Sequence, residues 1–275
     1  MKDVKSIGGI LGIILGLTTL TGASSADRPP WPPGSPPEPP KSLSELTAEW
    51  WQWVFSIPQP FDANGNPLPP YNPIFDPSGA YCAVGQRGSV WFLAGDALGQ
   101  GQPPVQRSCF IPEGASILFP VINFVNFNSP NCPTGTPSYG AQDLLRPVQQ
   151  AVEAVNSTNS ISATVDGVNV TKTLVTFVQT KPFKLAFPAQ NFFGPAPCAP
   201  GVPLAPKTYS PSVAEGYYVW LPPLTVGQHM ISFYAYETTA PPQIGPSYQN
   251  VIYNITVCSA AAEFSGSCTG ARSGP

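Results

Sequence analysis

The single histidine limits the acid–base and metal chemistry available to this 275-residue chain. Because His229 has no second histidine to join it, a zinc site built on several histidines and a copper site with two are excluded by ligand count. A Ser-His-Asp triad would have to use His229, which precedes a predicted strand, and no Gly-x-Ser-x-Gly elbow occurs. This pattern favours a structural histidine that is bonded to neighbouring backbone.

Carboxylates are the remaining candidates for catalysis. Glycoside hydrolysis needs two carboxyl groups flanking the scissile bond, one of them kept protonated by its surroundings. Only 10% of the residues are charged, and five acids lie beside apolar segments or in turns between them: Glu49, Asp96, Glu113, Glu215 and Glu237. Helix caps and turns on the solvent side explain the same acids, and Asp166 is assigned to an Asp-Gly turn. We therefore nominate no catalytic residue.

Aromatic and amide side chains offer a second kind of chemistry, the binding of sugars without charge. Aromatic faces stack on sugar rings, and amides bond to hydroxyl groups. Trp50 and Trp53 share the apolar face of a predicted helix, whereas Trp51 points elsewhere and is expected at the rim or exposed. A helix lid over a sheet explains the same tryptophans. The candidate ligand-binding residues are Trp51, Gln52, Gln86 and Trp91.

Charge and motif content argue against several partners and cofactors. The formal net charge is −3 and no basic stripe occurs, so nucleic acid is a poor candidate partner. No Gly-rich phosphate loop or dinucleotide fingerprint is present, which argues against nucleotides. The sequence indicates no metal and no cofactor.

The six cysteines indicate disulfides. Their number is even, and none forms a Cys-x-x-Cys pair, which argues against a zinc knuckle or a thioredoxin-like site. Six cysteines allow 15 pairings, so the connectivity stays open. The preferred pairs are Cys82–Cys109 and Cys258–Cys268, which leaves Cys132–Cys198.

The ends of the chain differ in composition from its middle. Residues 1–26 have the basic start, apolar run and small-residue cleavage positions of a signal peptide, and this run is too short to favour a membrane anchor. Residues 27–41 form a Pro-rich linker, 42–258 a single β domain and 259–275 a C-terminal tail. The chain is thus predicted to be secreted, extracellular or at the cell surface, with no membrane span after cleavage.

Helical and strand patterns both occur within residues 42–258. A capping box at Ser42 and Glu45 begins a helix that runs to about Ser56, and a second helical pattern runs from Ala141 to Asn156. Short alternating segments, Pro/Gly-rich loops and an Asp-Gly hairpin indicate strands. The prediction is a mainly β fold, an antiparallel β-sandwich that is Ig-like or jelly-roll-like, with two short helices and disulfides.

Several short motifs resemble those of a group of secreted, mostly bacterial proteins of unassigned function. They are WWQW at 50–53, NPIFDPSG at 72–79, CAVGQ at 82–86, VWFLAG at 90–95, CFIPEG at 109–114, FPVIN at 119–123, and LPPL at 221–224 followed by GQH at 227–229. The resemblance spans roughly residues 45–258. It implies a single secreted domain and carries no reaction or ligand.

Three functional hypotheses follow from the sequence. The leading one is a non-catalytic binding or surface-associated module, with extracellular polysaccharide or a cell-surface component as its partner. The alternatives are a carboxylate-dependent hydrolase of an extracellular polymer and a purely structural envelope or matrix protein. Aromatic side chains in a groove would favour the binding module, and two carboxyls in a cleft would favour the hydrolase. A protein with neither feature would fit the structural role.

Overall fold

A computed structural model describes residues 38–97, 103–158, 160–195, 197–198, 202–237, 247–259 and 268. The predicted signal peptide, most of the Pro-rich linker and most of the C-terminal tail lie outside the described residues.

Two helices occur where the sequence predicts them. Helix α1 spans Leu43–Ser56, and its capping box is confirmed because the Ser42 side chain accepts from the Glu45 amide while the Glu45 carboxylate accepts from the Ser42 amide. Helix α2 spans Ala141–Thr158 with Pro147 inside it. Within the described residues, neither helix is long and apolar enough to cross a membrane.

Ten strands account for most of the remaining regular structure of the described residues. They are β1 Val90–Phe92, β2 Val105–Pro112, β3 Ser116–Phe127, β4 Ile161–Val165, β5 Val168–Asn169, β6 Val175–Gln179, β7 Phe183–Ala186, β8 Thr208–Leu221, β9 Gly227–Glu237 and β10 Ser247–Cys258. The predicted hairpin is confirmed as β4 and β5, and its turn residues Asp166 and Gly167 both have positive φ, 50° and 80°. Strand β2 is an element that the sequence analysis did not assign.

The strands form two mixed sheets rather than purely antiparallel ones. Sheet one has the order β1-β3-β8-β6, and β7 also pairs with β8; sheet two has the order β2-β10-β9-β4-β5. Strand β1 runs parallel to β3, and β2 runs parallel to β10, whereas the other pairs are antiparallel. The mainly β class with two helices is confirmed. The strictly antiparallel arrangement is wrong. The chain passes through the other sheet between β1 and β3 and between β2 and β10, and it returns each time to run beside the earlier strand in the same direction.

Two hydrophobic cores share sheet one. The first core lies between the sheets, where Phe119 of β3 and Phe233 of β9 stack with centroids 5.2 Å apart, and α2 adds Val148 and Val152 to it. The second core lies on the opposite face of sheet one, where Trp50 of α1 belongs to the same cluster as Leu118 of β3 and Tyr218 of β8. Both faces of β3 are therefore buried, which explains its long apolar run.

Three disulfides match the preferred pairing: Cys82–Cys109, Cys132–Cys198 and Cys258–Cys268. The first ties the segment before β1 to β2. The second links two loops that are 66 residues apart in sequence. Such cross-links stabilise chiefly by restricting the unfolded chain.

Arg107 of β2 is buried, with 1% of its surface exposed. Its guanidinium donates to the backbone carbonyls of Asp76 at 2.7 Å, Ala94 at 3.0 Å and Gly95 at 2.7 Å, and to the Tyr253 hydroxyl at 2.9 Å. Burial removes water from the guanidinium, and these bonds take the place of the lost hydration. They hold the loop before β1, the segment after β1 and strand β10 at one point.

Glu215 of β8 is a second buried charged residue, with 2% of its surface exposed beneath α2. Its burial raises the pKa of the carboxyl, a hydrogen bond with Gln149 of α2 lowers it, and the nearby Glu153 carboxylate raises it again. Since burial is the largest cause, the folded pKa lies above the ordinary value.

We expect Arg107→Met to destabilise the fold by about 3–5 kcal/mol, because the backbone carbonyls and the Tyr253 hydroxyl would stay buried without their donor. Urea unfolding measures the change. The matched control is Gln106→Met on the exposed side of the same strand, which should stay within about 0.5 kcal/mol of the parent. Equal stability of the two variants would contradict the role assigned to Arg107.

We expect Glu215→Gln to gain stability relative to the parent protein as pH rises. The folded state keeps the Glu215 proton to a higher pH than the unfolded chain, so the parent loses stability as pH climbs from the ordinary value of 4.5 through the folded pKa. The variant lacks this titration. Denaturation at several pH values between about 4 and 8 measures the difference, with exposed Glu113→Gln as control. A difference that does not vary with pH would refute the argument.

Candidate functional site

A cleft with a volume of ≈ 260 Å³ lies where α1, β3 and the start of β10 meet. This volume is slightly below the roughly 300–1,000 Å³ of typical small-molecule sites, so it suits a ligand the size of a sugar ring. The described residues that line the cleft are Trp51, Ile74, Asp96, Ala97, Asn123, Phe124, Val125, Phe192, Ser247, Tyr248 and Gln249. Aromatic and amide side chains thus meet at one place.

Gln249 fixes the backbone at one wall of the cleft. Its Oε1 accepts from the Asp96 amide at 2.8 Å, and its Nε2 donates to the Asp96 carbonyl at 3.2 Å. This pairing requires glycine at position 95, because a Cβ there would lie 2.4 Å from Gln249 Oε1. Since Arg107 also binds the Gly95 carbonyl, the wall that carries Asp96 is held from two sides.

Trp51 forms an aromatic wall and is held by its neighbours on α1. Its ring meets that of Trp50 edge to face at 4.8 Å and that of Phe55 at 5.1 Å. Trp50 is in turn anchored by a hydrogen bond from its Nε1 to the Leu93 carbonyl at 2.9 Å. The expectation that Trp51 is at the rim or exposed is corrected: it is 5% exposed, because it packs into the second core and shows only a small part of its ring to the cleft.

Asn123 contributes an amide from the middle of β3. Its Nδ2 donates to the Tyr218 hydroxyl at 3.0 Å, and Tyr218 is fully buried in the second core. Burial raises the pKa of Tyr218, so its hydroxyl stays neutral. The amide is therefore fixed in position, and its carbonyl oxygen remains an acceptor suited to a ligand hydroxyl.

The other three nominated residues lie outside the cleft. Gln52 is exposed and its Nε2 donates to the Lys184 carbonyl at 3.1 Å, which ties α1 to β7. Gln86 bonds both its amide groups to the backbone of Phe92, at 2.7 and 2.9 Å. Trp91 is buried in the first core, with 7% exposed. The candidate site therefore keeps Trp51 and omits Gln52, Gln86 and Trp91.

His229 joins two turns. Its Nδ1 lies 2.7 Å from Asp166 Oδ2, and its Nε2 lies 2.8 Å from the Thr225 carbonyl and 3.3 Å from the Thr225 hydroxyl. Because the carbonyl only accepts, Nε2 carries a hydrogen and cannot take the hydroxyl proton. The prediction of a structural histidine is confirmed. Asp166 is more than a turn residue, because it also accepts from the Met230 amide at 2.7 Å.

The five candidate acids are dispersed over the fold. Glu49 forms an ion pair with Lys41, Glu113 is exposed in the turn after β2, and Glu215 is covered by α2. Asp96 lines the cleft, and Glu237 is paired in the sheet register with Ser247, another residue of the cleft. Among the described residues, no three of His, Cys, Asp and Glu cluster as a metal site.

Most of the cleft was not visible in the sequence. Ser247, Tyr248 and Gln249 begin an alternating strand, where such residues look ordinary. Asn123 ends the FPVIN motif after a buried apolar run, which was the one local signal of a polar group at a special position. Nothing in the sequence links these positions to Trp51 or Asp96, because only the tertiary fold brings them together.

Comparisons with known proteins assign no family to the chain. No protein-family model matches it, and no curated protein matches. One solved structure, the solution structure of amebosin, is 11% identical and aligns with 55% of this chain and 89% of its own length, with a TM-score of 0.17. A similarity this low carries no argument about fold or function, and the resemblance to secreted bacterial proteins stays a prediction.

Proposed function

We propose that this protein is a secreted, non-catalytic binding module whose ligand is an uncharged extracellular saccharide. The observation that carries the proposal is the cleft, which combines the aromatic side chains of Trp51, Phe192 and Tyr248 with the amides of Asn123 and Gln249. Rigid aromatic surfaces and fixed amides suit a ligand that is rich in hydroxyl groups and carries no charge.

The disulfides support the secreted part of the proposal. Every cysteine is paired in one of three bridges, and such bridges persist in oxidising compartments. The predicted signal peptide at residues 1–26 points the same way. The low charge of the chain fits a partner that is recognised through hydroxyl and ring contacts.

The distribution of carboxylates favours binding over catalysis. Asp96 is the one acid among the described residues that line the cleft, whereas glycoside hydrolysis uses two. The other candidate is Glu237, which pairs in the sheet register with the cleft residue Ser247. It has 0% of its surface exposed. A carboxyl that is fully buried would have to become exposed before it could reach a glycosidic bond.

We expect Trp51→Phe to weaken saccharide binding in the cleft by roughly fivefold, about 1 kcal/mol, because the smaller ring loses part of its stacking surface. Cellohexaose, chitohexaose and mannohexaose, titrated by calorimetry into the protein with oxidised cysteines, provide the measurement. Trp220→Phe is the matched control, since Trp220 is buried in the same second core and does not line the cleft. The Trp220→Phe variant should bind the hexaoses with the same affinity as the parent protein.

Two results would overturn this proposal. Absence of binding by all three hexaoses would show that the cleft is not a saccharide site, and a structural envelope or matrix role would then be the better hypothesis unless an insoluble polymer retains the protein. An equal loss of affinity in Trp51→Phe and Trp220→Phe would show that both changes disturb the second core and thereby weaken a binding site outside the cleft.

A second candidate function is the hydrolysis of an extracellular polymer by Asp96 and Glu237. The register that places Glu237 opposite the cleft residue Ser247 favours this pair over the other acids. If the protein is a hydrolase, new reducing ends appear from the polymer, and both Asp96→Asn and Glu237→Gln abolish them while Glu113→Gln does not. We expect no release of reducing ends from the parent protein.

A further inference from the structure

We propose that the outer face of sheet two is an extended docking plane for an uncharged polysaccharide chain, continuous with the cleft. The outer face consists of the even-numbered residues of β2 from 106 to 110, β4 from 162 to 164, β9 from 228 to 236 and β10 from 248 to 256. This inference rests on the proposed function for the class of ligand and goes beyond it in naming a second, planar surface and a polymeric partner.

The burial pattern identifies this face. Along β9 and β10, the odd-numbered residues from 229 to 235 and from 251 to 257 are buried, and the even-numbered residues between them are half-buried or exposed. Among the described elements, α1 packs against sheet one and α2 joins the first core, so neither helix covers the face. Within the described part of the chain, this face therefore packs against no helix.

The outer face carries no charged side chain, although an outward-facing position of a strand can hold a charged residue. Its positions hold hydroxyl, amide, aromatic and aliphatic side chains, and none is Asp, Glu, Lys or Arg. Solvent-exposed sheet faces are ordinarily rich in Lys and Glu, which keep the surface hydrated. A neutral face does not attract nucleic acid or another charged polymer, because such partners need opposite charge for binding. It matches the chemistry of a neutral, hydroxyl-rich chain.

A row of tyrosines gives the face a platform for sugar rings. Tyr236 and Tyr248 stand on neighbouring strands with centroids 6.4 Å apart and ring planes 14° apart, and Tyr234 follows at 6.1 Å from Tyr236. Tyrosine offers a large rigid surface with a polar end at a low cost in conformational entropy. Rings spaced along the sheet can contact successive sugar units of one chain.

Hydroxyl and amide groups further along the face bond to one another across the strands. Thr164 Oγ1 and Ser232 Oγ are 2.6 Å apart, and Gln228 Nε2 donates to Thr256 Oγ1 at 2.9 Å. These bonds hold the side chains in place before a ligand arrives, which reduces the entropy lost on binding.

Tyr248 connects the face to the cleft. It lines the cleft beside Gln249 and also stacks on Tyr236 of the outer face. A chain whose end enters the cleft would therefore leave it across Tyr236 and then Tyr234. A second copy of this protein is a less suitable occupant, because stable homodimer interfaces bury mainly apolar surface and this face is mostly polar.

The test compares insoluble polymer with short soluble saccharides. Microcrystalline cellulose, chitin and insoluble mannan are incubated with the protein, and the retained fraction is measured against protein concentration. We expect Tyr234→Ser/Tyr236→Ser to lower retention at least tenfold on the polymer that binds, while affinity for the disaccharide of that polymer, which is too short to extend far beyond the cleft, changes less than twofold. Tyr234→Phe/Tyr236→Phe keeps the rings and should stay within threefold of the parent.

The matched control removes two exposed aromatic residues from other elements, Tyr139→Ser/Phe177→Ser, and should leave retention unchanged. The docking plane is overturned if the serine variant is retained like the parent, if it loses disaccharide affinity to the same extent as retention, or if none of the three polymers retains the parent. It is also overturned if sedimentation shows a dimer that this variant dissociates. Hexaose binding without retention leaves the cleft proposal intact, and retention without hexaose binding removes only the cleft.

Discussion

The buried guanidinium of Arg107 is the interaction on which the candidate site depends. It binds the carbonyls of Asp76, Ala94 and Gly95, so the loop before β1 and the segment after it converge on β2. Gln249 then pairs with the backbone next to Gly95 and completes one wall of the cleft. A buried charge is costly unless all its donors find acceptors, and this requirement forces irregular backbone into one defined arrangement.

Charge is distributed in an unusual way in this fold. Arg107, Glu215 and Asp76 are buried, and each is bonded to groups around it. The outer face of sheet two, by contrast, has no charge. Buried charges order the core and the loops, because each accepts few alternative arrangements. This outer face instead presents rings, hydroxyls and amides, which are also the kinds of group that line the cleft.

The elements with strong local signals were predictable from the sequence, and those set by long-range pairing were not. The capping box and the Asp-Gly turn fix α1 and the β4–β5 hairpin through bonds within a few residues. Strand β2 escaped prediction because Arg107 occupies an inward position and breaks the alternation of apolar residues. The parallel pairing of β2 with β10 joins residues about 150 apart, and no local pattern encodes such a pair.

The aromatic residues show why the site was only partly predictable. Tryptophan is the residue type in which the sequence suggests a sugar platform, yet Trp51 and Trp91 are both core residues, with 5% and 7% of their surfaces exposed, because large rings contribute most when buried. The tyrosines of β9 and β10 attract no notice in the sequence, since aromatic residues are common in strands. Register places Tyr236 beside Tyr248, and register is set by the inward residues of the same strands. The packing of the core therefore decides which rings meet on the outside.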